Sequence, residues 1–347
     1  MNTTTVPTPQ KPWETTNKQR LSTASIIFAA ILISFIVIKL TGLDGKLGFL
    51  STLFIVSTLL IFIQQWRLRD KAAAKDSLLS SFALLGMIMT VIPIVSIVYT
   101  VVIKGYKGIH FGMFINDMSL NSVNDPIKDG GLLHALVGTI IMVGGALVIS
   151  FPIGVLTALY LTEIRGKLSR PIKFLVQAMS GVPSIVAGLF IYTTFVDATG
   201  TFSALAGALA LGILMLPTVA RTSEEVLKLV PDDLRSAGYA LGARQWRSTL
   251  IVVLPTVRSG LITAGLLGVA RVIGETAPLL ATALSNTSFV FNPVSGPIGS
   301  LPMYIFGMLQ IGTENSINRA WTGALILLIV VFGLFTLARY VAGKDKR

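Results

Sequence analysis

The sequence predicts an all-α, polytopic membrane protein of about eight transmembrane helices with both termini on one side of the bilayer. Three observations carry this reading. Of 347 residues, 53% are hydrophobic and 13% charged, whereas a soluble domain averages about 25% charged. Mean hydropathy is +0.77, and several apolar runs reach the roughly 20 residues needed to cross a hydrocarbon core. Basic residues gather in loops that fall on one side, as the positive-inside bias requires. The net charge of +12 then reads as attraction to anionic headgroups, so membrane lipid is expected as a partner and nucleic acid is not. The chain has no cysteine and two histidines, His110 and His134, which excludes disulfides and thiolate metal sites and leaves no His-rich metal site.

The spans follow in order. Residues 1–22 are a polar tail with Lys11, Lys18 and Arg20, expected to be disordered and cytoplasmic. Thr23–Leu40 is the first span and Leu47–Ile63 the second, followed by a basic loop, 64–77, with Arg67, Arg69, Lys71 and Lys75. Leu78–Ile103 is the third, interrupted by Pro93; Lys104–Gly131 is polar, of mixed charge, and expected outside. Leu132–Leu161 is the fourth, and Arg165, Lys167, Arg170 and Lys173 mark the next inside loop. Phe174–Val196 and Ala204–Val219 are the fifth and sixth, and residues 221–258 form a large cytoplasmic island. Thr222-Ser223-Glu224-Glu225 at its start resembles a capping box opening a short helix to Leu229. Ser259–Leu284 is the seventh span. Ser285–Asn318 is mainly outside, with Leu301–Ile311 apolar but too short to cross, and Ala320–Val341 is the last span before a basic tail.

Within the island, Pro231 to Pro255 reads as helix, turn, helix. Pro231 with Asp232 and Asp233 suits a helix start, because proline is preorganised there and acids favour the positive end of the dipole. Leu234, Ala237 and Leu241 share one face, and Gly242 is a natural stop. Arg244–Leu254 is expected as a second short helix closed by Pro255. Ser236, Ala237, Gly238, Ala240, Gly242 and Ala243 are small enough to let another protein approach this backbone. The bland alternative is an ordinary amphipathic loop.

Two intramembrane stretches carry polar chemistry. Ser180-Gly181-Val182-Pro183-Ser184 combines a missing backbone donor with two hydroxyls, so it is either a path-lining hinge or a packing kink. Arg271-Val272-Ile273-Gly274-Glu275-Thr276-Ala277-Pro278 places a charge about 18 Å into the seventh span, where insertion scales charge at least ~2.5 kcal/mol for it. Arg271 and Glu275, at i and i+4, lie on one helix face and can neutralise each other, as a structural pair or as part of a path. No G-x-x-x-x-G-K-[ST] is present: Gly45-Lys46, Gly166-Lys167 and Gly343-Lys344 precede Leu, Leu and Asp.

The island resembles the cytoplasmic signature loop of ABC-transporter membrane subunits, E-A-A, three residues, G, nine residues, I, one residue, L-P. Ser236-Ala237-Gly238, Gly242, Val252 and Leu254-Pro255 keep that spacing, with departures at Ser236 and Gly238. G-V-P-S-I from Gly181 and R-x-I-G-E-T-A-P-L-L from Arg271 resemble the PstA-type phosphate-uptake permease family. The resemblance implies a type I ABC importer permease core of six helices over 78–347, with 1–77 adding a tail and two extra helices. It implies the coupling loop 221–258, with Ser236, Ala237, Gly238, Gly242, Leu254 and Pro255 docking in a groove of the ATPase. Arg271, Glu275, Thr276, Ser180 and Ser184 would line the phosphate path. The implied partners are a second permease subunit (PstC type), two copies of an ATPase (PstB type) that bind ATP and Mg, and an external phosphate-binding protein (PstS type). This chain would hold no cofactor or metal, have no catalytic residue, and lie in the bacterial inner membrane. Another oxyanion such as sulfate or molybdate is the nearest alternative. An ion-coupled carrier or an intramembrane enzyme comes next, though H-E-x-x-H and paired intramembrane aspartates are absent.

Overall fold

The computed structural model describes residues 17–42, 45–68 and 70–343, and all regular structure among them is helical. Seven of these helices are long and apolar enough to cross a bilayer, or eight when one bent pair counts as a single span. Packing divides the chain into two units, Met1–Ile97 and Val98–Arg347, so the division falls inside the third helix rather than in the basic loop before it.

The first unit contains α1 (Asn17–Thr41), α2 (Lys46–Leu68) and most of α3 (Lys71–Gly105). The buried residues of the α1–α2 hairpin are small or hydroxylated: Ala30, Ser34, Thr52 and Thr58. Such residues let helices approach where lipid removes the usual hydrophobic drive. Thr52 satisfies its hydroxyl on the Gly48 carbonyl at 2.8 Å. Helix α1 begins six residues before the expected Thr23; the polar tail over 1–16 and the basic tail over 344–347 lie outside the described residues. Arg67, Lys71 and Lys75 sit on helix ends rather than in a loop, since α2 runs to Leu68 and α3 begins at Lys71.

The second unit runs through α4 (Leu133–Ile164), α5 (Ser169–Ser180), α6 (Ser184–Thr199), α7 (Ala204–Lys228), α8 (Asp232–Ala240), α9 (Gln245–Val272), α10 (Ala277–Thr282), α11 (Leu301–Ile311) and α12 (Glu314–Gly343). Its centre is α7, against which α4, α5, α6, α9 and α10 all pack. Glycines make this possible. Fully buried Met215 and Val219 of α7 fill the space beside Gly268 of α9, and Val219 also fills that beside Gly154 of α4; a Cβ at either glycine would lie under 3 Å from Val219. Ser150 of α4 donates to the Gly212 carbonyl of α7 at 3.0 Å, a buried polar group satisfied across the interface.

Five expectations need correction. The third span is not interrupted at Pro93, since α3 runs as one helix from Lys71 to Gly105. The fifth span is not straight: α5 and α6 meet at 105° across Gly181–Pro183, since Pro183 is held extended at ψ 139° and cannot continue α5. The sixth span runs on to Lys228, and no helix starts at Thr222. Glu224 there is bound by Lys173 and Lys228 instead of reaching back as a cap. The second helix of the island starts at Gln245 but is not closed by Pro255, running unbroken into the seventh span. Proline removes a donor and crowds the preceding turn; the chain opens into a π turn over Thr249–Val253 and continues. The seventh span then stops at Val272 rather than Leu284, and α10 resumes only at Ala277.

Candidate functional site

Two interrupted helices build the site. Helix α5 ends at Ser180 and α9 ends just after Arg271, so a polar residue stands at the end of each helix, next to the break that follows. Beyond the breaks, α6 and α10 lie against each other. Gly188 is the reason: a Cβ there would stand 2.6 Å from the Pro278 Cα. Broken helices of this kind place unpaired backbone groups and polar side chains inside a membrane protein where they line a cavity.

A cavity of about 300 Å³ is lined by Ser180, Thr218, Arg221, Thr222 and Arg271. Thr218, Arg221 and Thr222 come from one face of α7, at i, i+3 and i+4. Arg271 lies in the last turn of α9, where helix carbonyls favour a cation. Both arginines are exposed to the cavity, and among the described residues no carboxylate pairs with either. Two guanidiniums and the hydroxyls of Thr218 and Thr222 form a donor-rich, net-positive lining suited to a small oxyanion, while Ser180 gives its hydrogen to the Val176 carbonyl at 3.0 Å.

The cavity thus brings together Ser180 and Arg271 of the expected residues. Ser184, Glu275 and Thr276 do not line it: Ser184 lies just past the first break, and Glu275 and Thr276 lie in the second. Ser184 opens α6, the Glu275 N–H donates to the Val272 carbonyl at 3.1 Å, and the Thr276 carbonyl accepts from Leu279 and Leu280. The expected neutralising pair of Arg271 and Glu275 does not form. The helix ends at Val272, so the i, i+4 face that would join them does not exist. Arg221 is the residue that sequence reasoning missed. It reads there as a positive-inside charge, and the usable signal is its spacing from Thr218 and Thr222.

The second functional surface is the polar island. Helix α8 stands on a buried ion pair: Arg235 Nε lies 3.2 Å from both carboxylate oxygens of Glu163, and Nη2 lies 3.0 Å from Oε1. Only 12% of the Arg235 side chain and 4% of Glu163 are exposed. Arg235 also donates to the carbonyls of Val230 and Leu227 and to Asp232. Its pKa is raised above the ordinary arginine value by the Glu163 hydrogen bonds. Gln245 at the start of α9 donates to the Glu163 backbone at 2.6 Å, so one residue of α4 holds both arms of the island.

The island presents large apolar side chains outward, with Asp232, Asp233, Arg244 and Arg247 exposed around them. Leu241 is 89% exposed and Trp246 61% exposed, with Leu234 and Tyr239 also exposed. Ser236 and Ala237 are exposed between them. Gly242 turns the chain at φ +76°. Gly238 faces inward, where a Cβ would meet Ser248 Oγ at 2.5 Å. Leu254 and Pro255 lie on the stem of α9 rather than at the tip.

Residues 150–344 match the family described as binding-protein-dependent transport system inner membrane component. The chain is 38% identical over 279 residues to the phosphate transport system permease protein PstA 1 of Mycobacterium tuberculosis H37Rv, covering 79% of this chain and 90% of that protein. It is 36% identical over 287 residues to PstA of Yersinia pestis, covering 82% and 93%, and 36% identical over 269 residues to PstA of Pasteurella multocida, covering 76% and 93%. Among solved structures, an inward-facing MetNI methionine ABC transporter chain shares the fold with a TM-score of 0.52 at 22% identity, covering 62% of this chain and 95% of that one.

Proposed function

We infer the role of this chain from its family: it belongs to the binding-protein-dependent transport inner-membrane components, and within them to the PstA phosphate transport permeases. It is a multi-pass inner-membrane permease subunit of an ATP-driven importer of inorganic phosphate. Sulfate or molybdate transport, ion coupling and intramembrane catalysis are not favoured.

Its partners, in this reading, are a second permease subunit of PstC type, two ATPase copies of PstB type that hold ATP and Mg, and a PstS-type phosphate-binding protein outside. Residues 78–347 form the permease core and 1–77 the added segment. The basic loops and both termini face the cytoplasm.

The observation that carries the path is the cavity shared by Arg221 and Arg271. Phosphate entering a dehydrated passage loses hydration, and the two guanidinium forks and neighbouring hydroxyls partly replace it. Ser184, Glu275 and Thr276 line the breaks through which the ion reaches that cavity. Glu275 accepts a hydrogen bond from a protonated phosphate oxygen and repels fully ionised sulfate. The island docks on the ATPase through the face that carries Ser236, Ala237 and Gly242, with Gly238 holding α8 close to Ser248 behind it, and Leu254 and Pro255 carry its movement into α9. Because α9 is continuous from Gln245 to Arg271, a displacement at the docking surface reaches the arginine along one rigid helix.

The test is labelled phosphate uptake by Arg271→Gln in the assembled transporter. Removing charged hydrogen bonds of this kind should lower uptake roughly tenfold or more, with insertion and assembly unchanged. Wild-type uptake ends the assignment, and failure to assemble marks Arg271 as structural. Competition by sulfate and molybdate on the wild type tests the anion.

A further inference from the structure

The basic end of the bundle holds a second polar cavity, of about 530 Å³, bounded by the end of α4, by α5 and by the end of α7. Arg165, Lys173, Lys228 and Arg235 line it, against the carboxylates of Glu224 and Asp232. These cations are not equivalent. Arg235 commits its donors to Glu163, Asp232 and two carbonyls. Lys173 and Lys228 bind Glu224 at 3.3 and 2.8 Å, yet their side chains stay 53% and 45% exposed. An ammonium has three donors; Lys173 uses one on Glu224, and Lys228 adds a bond to Glu225. Arg165 gives only its Nε, to the Thr162 carbonyl at 2.7 Å, and no carboxylate among the described residues pairs with it.

The backbone singles out Arg165 independently. It ends α4 in the left-handed conformation, φ 51° and ψ 39°. Among the described residues, Leu284 is the one other non-glycine with positive φ. Helices usually end in this conformation with glycine, since a Cβ is strained there. Glycine does stand next in the chain, but Gly166 does not take the left-handed position, and a Cβ on it would have to push the Tyr160 ring aside. A strained residue kept at such a position points to a use for its side chain. Leu229, which lines the cavity, is an exposed apolar residue, and so is Ile164 next to Arg165 in the chain.

We propose that this cavity binds a phosphate group, held by the Arg165 guanidinium with Lys173 and Lys228 as flanking charges. Arginine matches phosphate oxygens with a planar fork, and basic pockets between helices at this depth recognise lipid headgroups. An anionic phospholipid headgroup and free inorganic phosphate offer the same chemistry here. In either case the ligand bridges the α4–α5 turn and the end of α7, the parts on which α8 is mounted, and so bears on coupling. The site's inner-side location rests on the orientation proposed above; binding itself does not.

The experiment uses the full-length chain and compares Arg165→Gly with the unsubstituted protein. Retention of phosphatidylglycerol over phosphatidylcholine is read by native mass spectrometry. Inorganic phosphate is titrated by thermal shift in phosphatidylcholine nanodiscs, with Arg221→Gln and Arg271→Gln present so that the path cavity is silent. Glycine relieves the strain at 165, so the melting temperature without ligand should hold or rise. One of the two responses should weaken by about fivefold in Arg165→Gly. Weakened lipid retention assigns a headgroup, and a weakened phosphate response assigns the free ion. Both responses unchanged, or neither present in the unsubstituted chain, overturns the proposal. If Arg165→Gly does not fold, Lys173→Met is judged by the same two responses.

Discussion

Arg235 of α8 and Glu163 of α4 form a buried, two-toothed ion pair, with Nη2 to Oε1 at 3.0 Å and Nε 3.2 Å from each oxygen. A pair this enclosed adds little by itself compared with a well-packed apolar pair, but losing one partner strands a charge. Arg235→Ala should therefore destabilise the island by about 3–5 kcal/mol and uncouple ATP hydrolysis from uptake. The replacement of both residues by Met and Leu should recover much of the stability. Thermal unfolding and stimulated ATPase activity measure the two effects, and a silent Arg235→Ala would contradict the mount.

Gly242 separates backbone strain from packing. Nothing lies within 4 Å of a Cβ placed there, yet φ is +76°. Gly242→Val should cost roughly 1 kcal/mol or more through the turn alone, abolish coupled transport and leave insertion intact. Gly242→Asn, which tolerates this conformation better, should retain more activity. Equal activity in the two variants would show that the turn is not what matters.

In the path, Arg271→Lys should recover little of what Arg271→Gln loses, since a point charge does not reproduce the fork. Arg221→Gln should resemble Arg271→Gln, as both face one cavity. Glu275→Gln should reduce phosphate uptake and admit more sulfate. Unchanged anion preference in Glu275→Gln would remove the selectivity role.

The chain lacks cysteine, so single substitutions report sidedness cleanly. Leu241 and Leu120 are 89% and 96% exposed. Leu241→Cys should react with an impermeant reagent only from the cytoplasmic side, and Leu120→Cys only from the other. Labelling of Leu241→Cys in intact cells would reverse the proposed orientation.

Asp117 ties the two polar loops of the other face together. It accepts from the hydroxyl and N–H of Ser119 and from the N–H of Phe289 at 2.8 Å. Those bonds, the Ser119 hydroxyl first, hold its pKa below the usual carboxylate value. A depressed native pKa contributes stability that is present above the unfolded pKa and lost as pH falls through the native one. Protection of the Phe289 amide, taken relative to the intrinsic exchange rate at each pH, should thus hold at neutral pH and be lost only below the ordinary carboxylate range. Asp117→Asn should remove most of that pH dependence; an unchanged profile would discount the tie.

Much of this was legible in the sequence. Pro231 and Gly242 bracket α8 because a fixed φ and a permitted positive φ are local properties. The hydropathy runs located the spans because the bilayer sets their length. Continuity was harder to read. Pro255 looked like a terminator, but one π turn absorbs it, and Val272 looked mid-helix, but the chain breaks there. Arg221 escaped for a related reason: taking Ala204–Val219 as the sixth span assigned it to a loop, whereas α7 carries it for two more turns to Lys228. Which residues share a cavity depends on how α5, α7 and α9 cross, and spacing along one chain does not record that.

The contact of Gly188 with Pro278 has a mechanical meaning. Only a hydrogen atom separates the α6 backbone from α10 at that point, and neither surface offers a side chain that could yield. The two half-helices therefore have no slack at this point, and a rotation of α6 between Gly181–Pro183 and α10 should carry α10 and its Ile273–Thr276 break with it, as one leaf. A transporter with such a leaf has one opening coordinate rather than two, so a push along α9 and a pull along α5 are alternative ways of working the same door. A methyl group at position 188 would act as a wedge between them, jamming the leaf without touching either the anion or the ATPase.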